Sequence, residues 1–134
     1  MRISVTANTV DLESQQKQIS KELKLALKKA GLKAIQMIKQ RTAKGQGVEG
    51  AFKAYSASYA NDRRENGYPV KPDLFRTGAM LGSMQARQKS NYVEIYFNGQ
   101  EQNKKAFYND KIRPFFDLTN KEKSEIQKLF RFVR

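Results

Sequence analysis

A long run of helical periodicity between Asp11 and Arg41 constrains the fold of this 134-residue chain more than any other feature. Apolar side chains recur there in steps of three and four residues, which places them on one face of an α-helix. They are Ile19, Leu23, Ala26, Leu27, Ala30, Ala34, Met37 and Ile38. A helix over this range would be roughly 45 Å long at its usual rise per residue. We expect it to end just before Gly45 and to bury its apolar face.

Two further patterns predict a small antiparallel sheet. Apolar and polar residues alternate over Arg2–Ala7, as in a short strand with one buried face. Gln85–Ser90 and Asn91–Asn98 are predicted to form a β-hairpin, because β-branched and aromatic residues alternate along the second segment. Just before the hairpin, Thr77 is expected to cap a brief helix.

The last element is predicted to be a short helix that begins at Thr119. Thr119 and Glu122 have the spacing of a capping box, in which each residue satisfies a backbone donor of the other. Aromatic rings near this and other elements are predicted to anchor them in the core: Phe52, Phe107, Phe115 and Phe116. The predicted fold is therefore α+β, with a long N-terminal helix packed on a small antiparallel sheet, a long irregular loop and a short C-terminal helix. Residues 1–134 are expected to form a single domain.

Two segments show no periodicity and are predicted to be loops. Residues from Thr42 to about Asp73 contain four glycines, two prolines and scattered serine, asparagine and lysine, which predicts a long flexible loop. Loops of this length are usually functional or disordered, so we expect this one to become ordered on docking to a partner. Gln100–Lys111 is polar and is also predicted to be a loop.

The residue types that are missing limit the chemistry of this chain. It contains no cysteine and no histidine, which removes thiolate nucleophiles, the commonest general base and most zinc ligand sets. No pair of carboxylates has the opposed environments that acid–base catalysis needs. We therefore predict that the protein is not an enzyme and has no cofactor or metal. No apolar run approaches the roughly 18 residues of a membrane helix, and no signal peptide is expected.

The net charge of +13 favours a polyanionic partner: a nucleic acid, an acidic membrane surface or an acidic protein. The alternative is an ordinary soluble surface that is rich in lysine. On the long helix, one stripe nearly opposite the core face consists of Lys17, Lys21, Lys24 and Lys28. Such a stripe could follow a phosphate backbone without reading its sequence, and it could equally be an ordinary solvated face. Both interpretations stay open at this point.

Several residues are candidates for contact with a partner or a second subunit. Leu25, Leu32 and Ile35 lie on the flank of the long helix, where they form either a second apolar patch or the margin of a wide core face. Arg63 and Arg64, in the predicted loop, are candidates to bind a phosphate or an acidic partner, and the alternative is a solvated loop. The whole candidate set is Leu25, Leu32, Ile35, Lys44, Phe52, Tyr55, Tyr59, Arg63 and Arg64.

Several different short motifs follow one another along most of the chain. They are Arg41-Thr42 with Gly45, Phe52, Tyr55-Ser56, the segment Thr77–Ser83 (TGAMLGS) and Arg113-Pro114-Phe115. In their order and spacing they resemble the neck and tail-completion, or virion morphogenesis, proteins of tailed bacteriophages. That family has an N-terminal strand, a long helix, a loop, a strand pair and a terminal helix in the same order.

The resemblance implies a structural role in the virion. It implies a non-enzymatic homo-oligomer, a hexameric ring at the neck, that contacts the head connector and the tail-tube or terminator proteins. The protein would reside in the host cytoplasm before assembly, with no membrane association, and its positive charge would face DNA or an acidic connector. The alternative from another class is a basic nucleic-acid-binding accessory protein that uses the lysine stripe.

Overall fold

The computed structural model describes residues 1–6 and 21–130 of the chain. In chain order its elements are β1 (Arg2–Thr6), α1 (Lys21–Ala43), β2 (Gln46–Gly47), β3 (Gly50–Ala51), α2 (Ala57–Glu65), α3 (Ala79–Gly82), β4 (Met84–Gln88), β5 (Tyr92–Phe97), α4 (Gln100–Ile112) and α5 (Asn120–Gln127), followed by a 3-10 turn at Lys128–Phe130. The predicted beginning of the long helix, with Lys17 of the lysine stripe, lies outside the described residues.

The central strand of the main sheet is β5, which pairs in antiparallel fashion with β1 on one side and β4 on the other. Its residue Ile95 is opposite Ile3 of β1 and Ala86 of β4. Because side chains alternate along a strand, Val93, Ile95 and Phe97 share one face, and all three are buried. The predicted hairpin is confirmed, and this face of the sheet forms one side of the core.

Helix α1 packs against the sheet and supplies the other side of the core. Small residues at helical spacing let its backbone approach the strands closely: Ala26, Ala30, Gly31 and Ala34, all buried. A Cβ atom added at Gly31 would lie only 2.8 Å from Cγ2 of Val93. The close contact therefore depends on the absence of a side chain at Gly31. The predicted α+β class, with a long helix on a small antiparallel sheet and short C-terminal helices, is confirmed.

The predicted capping box begins α5. The Thr119 hydroxyl accepts a hydrogen bond from the Glu122 N–H at 3.2 Å, and a Glu122 carboxylate oxygen accepts one from the Thr119 N–H at 2.9 Å. Phe115 and Phe116 precede the helix and are buried, and the Phe116 ring centroid lies 4.7 Å from that of Phe97. These two rings are core anchors, as the sequence predicts.

Two segments that were predicted to be irregular contain helices. Between Thr42 and Asp73 lie the nine-residue helix α2 and the paired two-residue strands β2 and β3. The predicted loop Gln100–Lys111 falls within α4. Ala106 is the buried residue of this helix, so its sequence carries no apolar stripe to mark it. Phe107, predicted to be a core anchor, is exposed, because the next position around the helix points away from the core.

Candidate functional site

Helix α2 lies inside the segment that the sequence predicts to be a loop, and it carries one buried arginine, Arg63. Its N-cap is Ser56, whose hydroxyl accepts a hydrogen bond from the Tyr59 N–H at 3.3 Å. Tyr59 and Arg63 are one turn apart and share a face of the helix. Arg63 is 0% exposed, which makes it the largest fully buried side chain among the described residues.

Every nitrogen of the Arg63 guanidinium has an acceptor. Nε donates to the Pro69 carbonyl oxygen at 2.7 Å, and Nη1 donates to the Phe75 carbonyl oxygen at 2.8 Å. Nη2 donates to the Asp73 carboxylate at 2.9 Å, which forms an ion pair between side chains that are both largely buried. Because a buried charge must be paired and hydrogen-bonded, this arrangement fixes the chain on both sides of residue 70.

Three tyrosine rings complete the surroundings of Arg63. Its guanidinium carbon lies 5.0 Å from the ring centroid of Tyr55, 5.8 Å from that of Tyr59 and 5.5 Å from that of Tyr68. The Tyr55 hydroxyl in turn accepts a hydrogen bond from the Leu74 N–H at 3.1 Å. The prediction that Arg63 contacts a phosphate or an acidic partner is therefore wrong, because its guanidinium is occupied within the fold.

Like Arg63, Arg113 is buried and joins separate segments of the chain through hydrogen bonds. Each such arginine with its contacts is called a junction below. Its Nε donates to the Lys53 carbonyl oxygen at 2.6 Å, and its Nη2 donates to the Ala54 carbonyl oxygen at 2.9 Å. The guanidinium carbon lies 4.6 Å from the Tyr55 ring centroid, so this ring lies close to both Arg63 and Arg113. Among the described residues, no carboxylate lies within 4.0 Å of the Arg113 guanidinium, although the side chain is buried.

Arg41, near the end of α1, forms a third junction. It donates to the Glu122 carboxylate at 3.1 and 3.2 Å and to the carbonyl oxygens of Phe115 and Asp117 at 3.2 and 2.6 Å. Burial raises the pKa of the Glu122 carboxyl, but the hydrogen bonds from Arg41 and the Thr119 backbone outweigh that effect, and its pKa lies below its ordinary value. Glu122 therefore links α5 to α1 as a carboxylate.

All the motifs named above except Thr77–Ser83 are linked at or near these junctions. Arg41 reaches the chain that follows Arg113-Pro114, and Arg113 reaches the chain that precedes Tyr55-Ser56. Near Gly45, the Phe52 N–H donates to the Gly45 carbonyl oxygen at 2.9 Å. The motif residues are far apart in sequence, and the fold brings them together.

A cleft of about 740 Å³ opens beside the Arg113 junction. Its walls are the chain before α2, the chain that leads into α3, and one side of α4. Residues of three motifs line it, including Tyr55, Met80 and Arg113. Arg76 also lies in the wall, and its Nη1 donates a hydrogen bond to Asp62 Oδ2 at 2.5 Å. This hydrogen bond raises the pKa of the Arg76 guanidinium above its ordinary value. The cleft is a concave site of the size that small ligands and peptide segments occupy.

The flank of α1 divides into exposed and packed residues. Leu25 is 52% exposed and Leu32 is 56% exposed, and they are separated by two helical turns on the same side. Ile35 is half-buried against the core, so it belongs to the margin of the core rather than to a free patch. Leu25 and Leu32 together, hereafter the α1 apolar patch, are the part of the predicted second face that is exposed.

The remaining candidates lie at separate places on the surface. Lys44 and Arg64 are exposed, and Arg64 donates to the Asn61 side chain at 2.9 Å. Phe52 is half-buried against the core, and Tyr59 lies at the edge of the cleft. The described members of the lysine stripe are exposed and have no carboxylate within 4.0 Å in the described part of the chain: Lys21, Lys24 and Lys28.

The sequence did not indicate several of the residues that make the cleft cationic and apolar. Lys105 and Ile112 lie seven residues apart on α4, a helix that was predicted to be a loop, so they were not grouped. Arg113 was noted only for its motif. The spacing of Ser56, Tyr59 and Arg63 could have indicated α2. Ser56 is a good N-cap residue, and the aromatic Tyr59 and the basic Arg63 that follow it are one helical turn apart.

Within residues 1–6 and 21–130, no group of three or more acidic side chains is arranged to hold a metal ion. None of the helices in that part of the chain is both long and apolar enough to cross a bilayer. No family model matches the chain, and no curated protein or solved structure matches it significantly. The resemblance to phage neck proteins therefore depends on the sequence motifs alone.

Proposed function

We propose that this chain is a structural phage assembly protein that acts in tail completion or head–tail joining. It would form a hexameric ring at the neck, between the head connector and the tail tube, and would catalyse no reaction. The observation that carries the proposal is that Arg41 contacts the Arg113-Pro114-Phe115 motif and that Arg113 contacts Tyr55 and the chain just before it. Motif residues that resemble one family in sequence therefore also contact one another in the fold. Chance matches to separate motifs would not be expected to do so.

The exposed surfaces support an assembly role. The α1 apolar patch offers Leu25 and Leu32 on the side of the helix that does not contact the sheet. A ring subunit needs two different contact surfaces, because its interfaces with its two neighbours are heterologous. The α1 apolar patch can supply one of these two surfaces.

The charge supports a partner that is acidic. The net charge of +13 attracts negatively charged surfaces at long range, either DNA in the neck channel or an acidic connector protein. The proposed partners are therefore the head-connector and tail-tube or terminator proteins, in the host cytoplasm during assembly and in the virion afterwards. No membrane partner is proposed.

Disruption of the gene in its parent genome tests this proposal. After induction, electron microscopy of the lysate is expected to show heads and tails that are present but unjoined, or tails of aberrant length. Supply of the wild-type protein from a plasmid should restore joined particles. Normal infectious particles from the disrupted strain would overturn the proposal.

A second candidate is a basic nucleic-acid-binding accessory protein. It is favoured by the exposure of Lys21, Lys24 and Lys28, none of which has a carboxylate within 4.0 Å among the described residues. For this function, duplex DNA should bind with an affinity that falls roughly tenfold or more as salt rises a few-fold. Replacement of two of these lysines by glutamine should reduce the salt dependence. Weak binding that the substitutions do not change would count against this candidate.

A further inference from the structure

The cleft beside Arg113 has an unusual balance of charge. Its lining contains five cationic side chains and no carboxylate: Lys53, Arg63, Arg76, Lys105 and Arg113. Arg63 and Arg76 are paired with Asp73 and Asp62, and Lys105 is 3.5 Å from the exposed Glu101. In the described part of the chain, Lys53 and Arg113 have no carboxylate within 4.0 Å.

Arg113 keeps part of its hydrogen-bonding capacity free for a ligand. Its Nε and Nη2 donate to neutral carbonyl oxygens, and among the described residues Nη1 has no protein acceptor. A guanidinium that is buried and bonded only to neutral groups is stabilised when a carboxylate approaches it. The exposed ammonium of Lys53 lies in the lining of the same cleft.

Exposed apolar side chains share the cleft with these cations. Phe75, in the chain before α3, is 47% exposed, and Ile112, on α4, is 57% exposed; both line the cleft, as does Met80. Surface apolar groups in a concave site, rather than scattered singly, indicate that something covers them. The lining therefore matches a ligand with both negative charges and apolar groups.

We propose that this cleft binds an extended segment of a partner protein in which aspartate or glutamate alternates with bulky apolar residues. The carboxylates would meet Arg113 and Lys53, and the apolar side chains would cover Phe75 and Ile112. A volume of about 740 Å³ accommodates a few residues of such a segment. The partner's identity rests on the proposed function, while the chemistry of the cleft is a property of this chain alone.

A peptide accounts for the lining better than a nucleic acid does. Proteins that bind single strands without sequence preference present a groove that follows the phosphates and several stacking rings. Here Tyr55 is already in contact with two guanidinium groups, so Phe75 and Tyr59 are the exposed rings of the lining, and the aliphatic Ile112 offers no stacking surface. Alternating acidic and apolar side chains supply both kinds of group that the cleft can bind.

The test uses immobilised full-length protein and two pools of synthetic decapeptides. In the first pool, aspartate or glutamate alternates with leucine, isoleucine, phenylalanine or tyrosine; in the second, asparagine or glutamine replaces the acidic residues. We expect retention of the first pool only, measured by mass spectrometry. Retention of both pools equally, or of neither, would overturn the proposal.

Matched variants locate the binding on the surface. The double variant K53E/K105E should weaken binding of a retained peptide by about tenfold or more, whereas K24E/K28E, with the same change in net charge, should change it by less than about twofold. I112S should weaken binding more than L32S does, although the two residues are similarly exposed. An equal loss in the two double variants would show attraction by net charge alone and would overturn the proposal.

Two further results separate this proposal from its rivals. If duplex or single-stranded DNA displaces the peptide and binds more tightly, with the same sensitivity to K53E/K105E, the cleft is a nucleic-acid site and the proposal is overturned. If neither pool binds while the disrupted parent strain makes unjoined heads and tails, only the cleft proposal fails. If the acidic pool binds and the disrupted strain makes normal particles, only the neck assignment fails.

Discussion

Arg41, Arg63 and Arg113 hold the least regular parts of this chain by donating to backbone carbonyl oxygens. Each guanidinium reaches at least two of these carbonyls, in segments distant from it along the chain or on the far side of a turn. The planar fork of arginine suits this task, and lysine, with one ammonium on a flexible stem, does not. Buried carbonyl oxygens outside helices and strands need such donors.

Substitution of Arg63 tests whether its buried guanidinium stabilises the fold. R63M should lower the free energy of unfolding by about 3 kcal/mol, because Asp73 and two carbonyl oxygens lose their donor. Urea unfolding followed by circular dichroism measures the change. R64M is the matched control: Arg64 is exposed, and its loss should cost less than about 0.5 kcal/mol. Similar effects of the two variants would contradict the role of Arg63.

The Arg41–Glu122 pair should make stability depend on pH. Because the pKa of Glu122 is lower in the folded protein than its ordinary value of 4.5, the folded state favours the carboxylate. The stabilisation is present above pH 4.5 and is lost as the pH falls through the lower pKa of the folded state. The difference in unfolding free energy between wild type and E122Q should therefore shrink on acidification from pH 7 to pH 3. A difference that does not change with pH would rule out this linkage.

Among the elements, the contact between α1 and the sheet has a specific requirement at Gly31. A glycine inside a helix usually costs stability, and alanine improves it by roughly 1 kcal/mol. At Gly31, however, a Cβ would lie 2.8 Å from Val93 Cγ2 and 3.0 Å from Ala86 Cβ. Val93 is β-branched and fully buried, so it cannot easily move away.

The expected effect of G31A is therefore the reverse of its helix propensity. The substitution should lower the free energy of unfolding by about 1–2 kcal/mol, since overpacking outweighs the gain in propensity. Thermal and urea unfolding measure this. G82A is the control, because nothing lies within 4 Å of a Cβ at that helical position, and it should not destabilise the protein. A more stable G31A would mean that the sheet accommodates the extra methyl group.

Elements with strong local signals could be predicted from the sequence, and those stabilised by distant contacts could not. The periodicity of α1, the alternation in β5 and the Thr119–Glu122 capping box each lie within one segment, and each is confirmed. In helix α4 the single buried residue is Ala106, so the sequence of this helix shows almost no periodic pattern of apolar residues. Helix α2 owes its place to the Arg63 bonds, whose acceptors lie outside the helix.

The candidate site shows the same division. The sequence identifies Leu25 and Leu32 as flanking the core face but leaves open whether they are covered, and the fold leaves both exposed. The burial of Arg63 could not be predicted in this way, because an Arg-Arg pair in a polar segment is usually solvated. The cleft joins residues more than 50 positions apart, such as Lys53 and Lys105, and only the folded chain brings them together.

At the scale of the whole molecule, the exposed surfaces support the proposal that this chain functions in contact with other chains. The α1 apolar patch and the cleft lie on different elements, and both combine apolar groups with positive charge. A strongly basic subunit keeps its copies apart by repulsion until an acidic partner neutralises the charge. We therefore expect ring formation to depend on a partner rather than on the free concentration of this chain.

Substitution of the α1 apolar patch tests its role in assembly. The double variant L25D/L32D should fail to restore joined particles in the disrupted strain, because buried carboxylates would replace the apolar contact between subunits. Its thermal unfolding should match that of wild type, since both positions are exposed. Q36D, on an exposed position of the same helix, is the control and should restore particles. Full restoration by L25D/L32D would remove the patch from the assembly interface.

Quantitative mass spectrometry of purified particles from the parent strain tests the central claim most directly. A structural neck or tail-completion protein stays in the finished virion, so the chain should be present at a copy number that matches a single hexameric ring, relative to the major capsid protein. It should also remain after the particles are washed at high salt and treated with nuclease. Absence from the particles, or loss together with nuclease-sensitive DNA, would contradict the account.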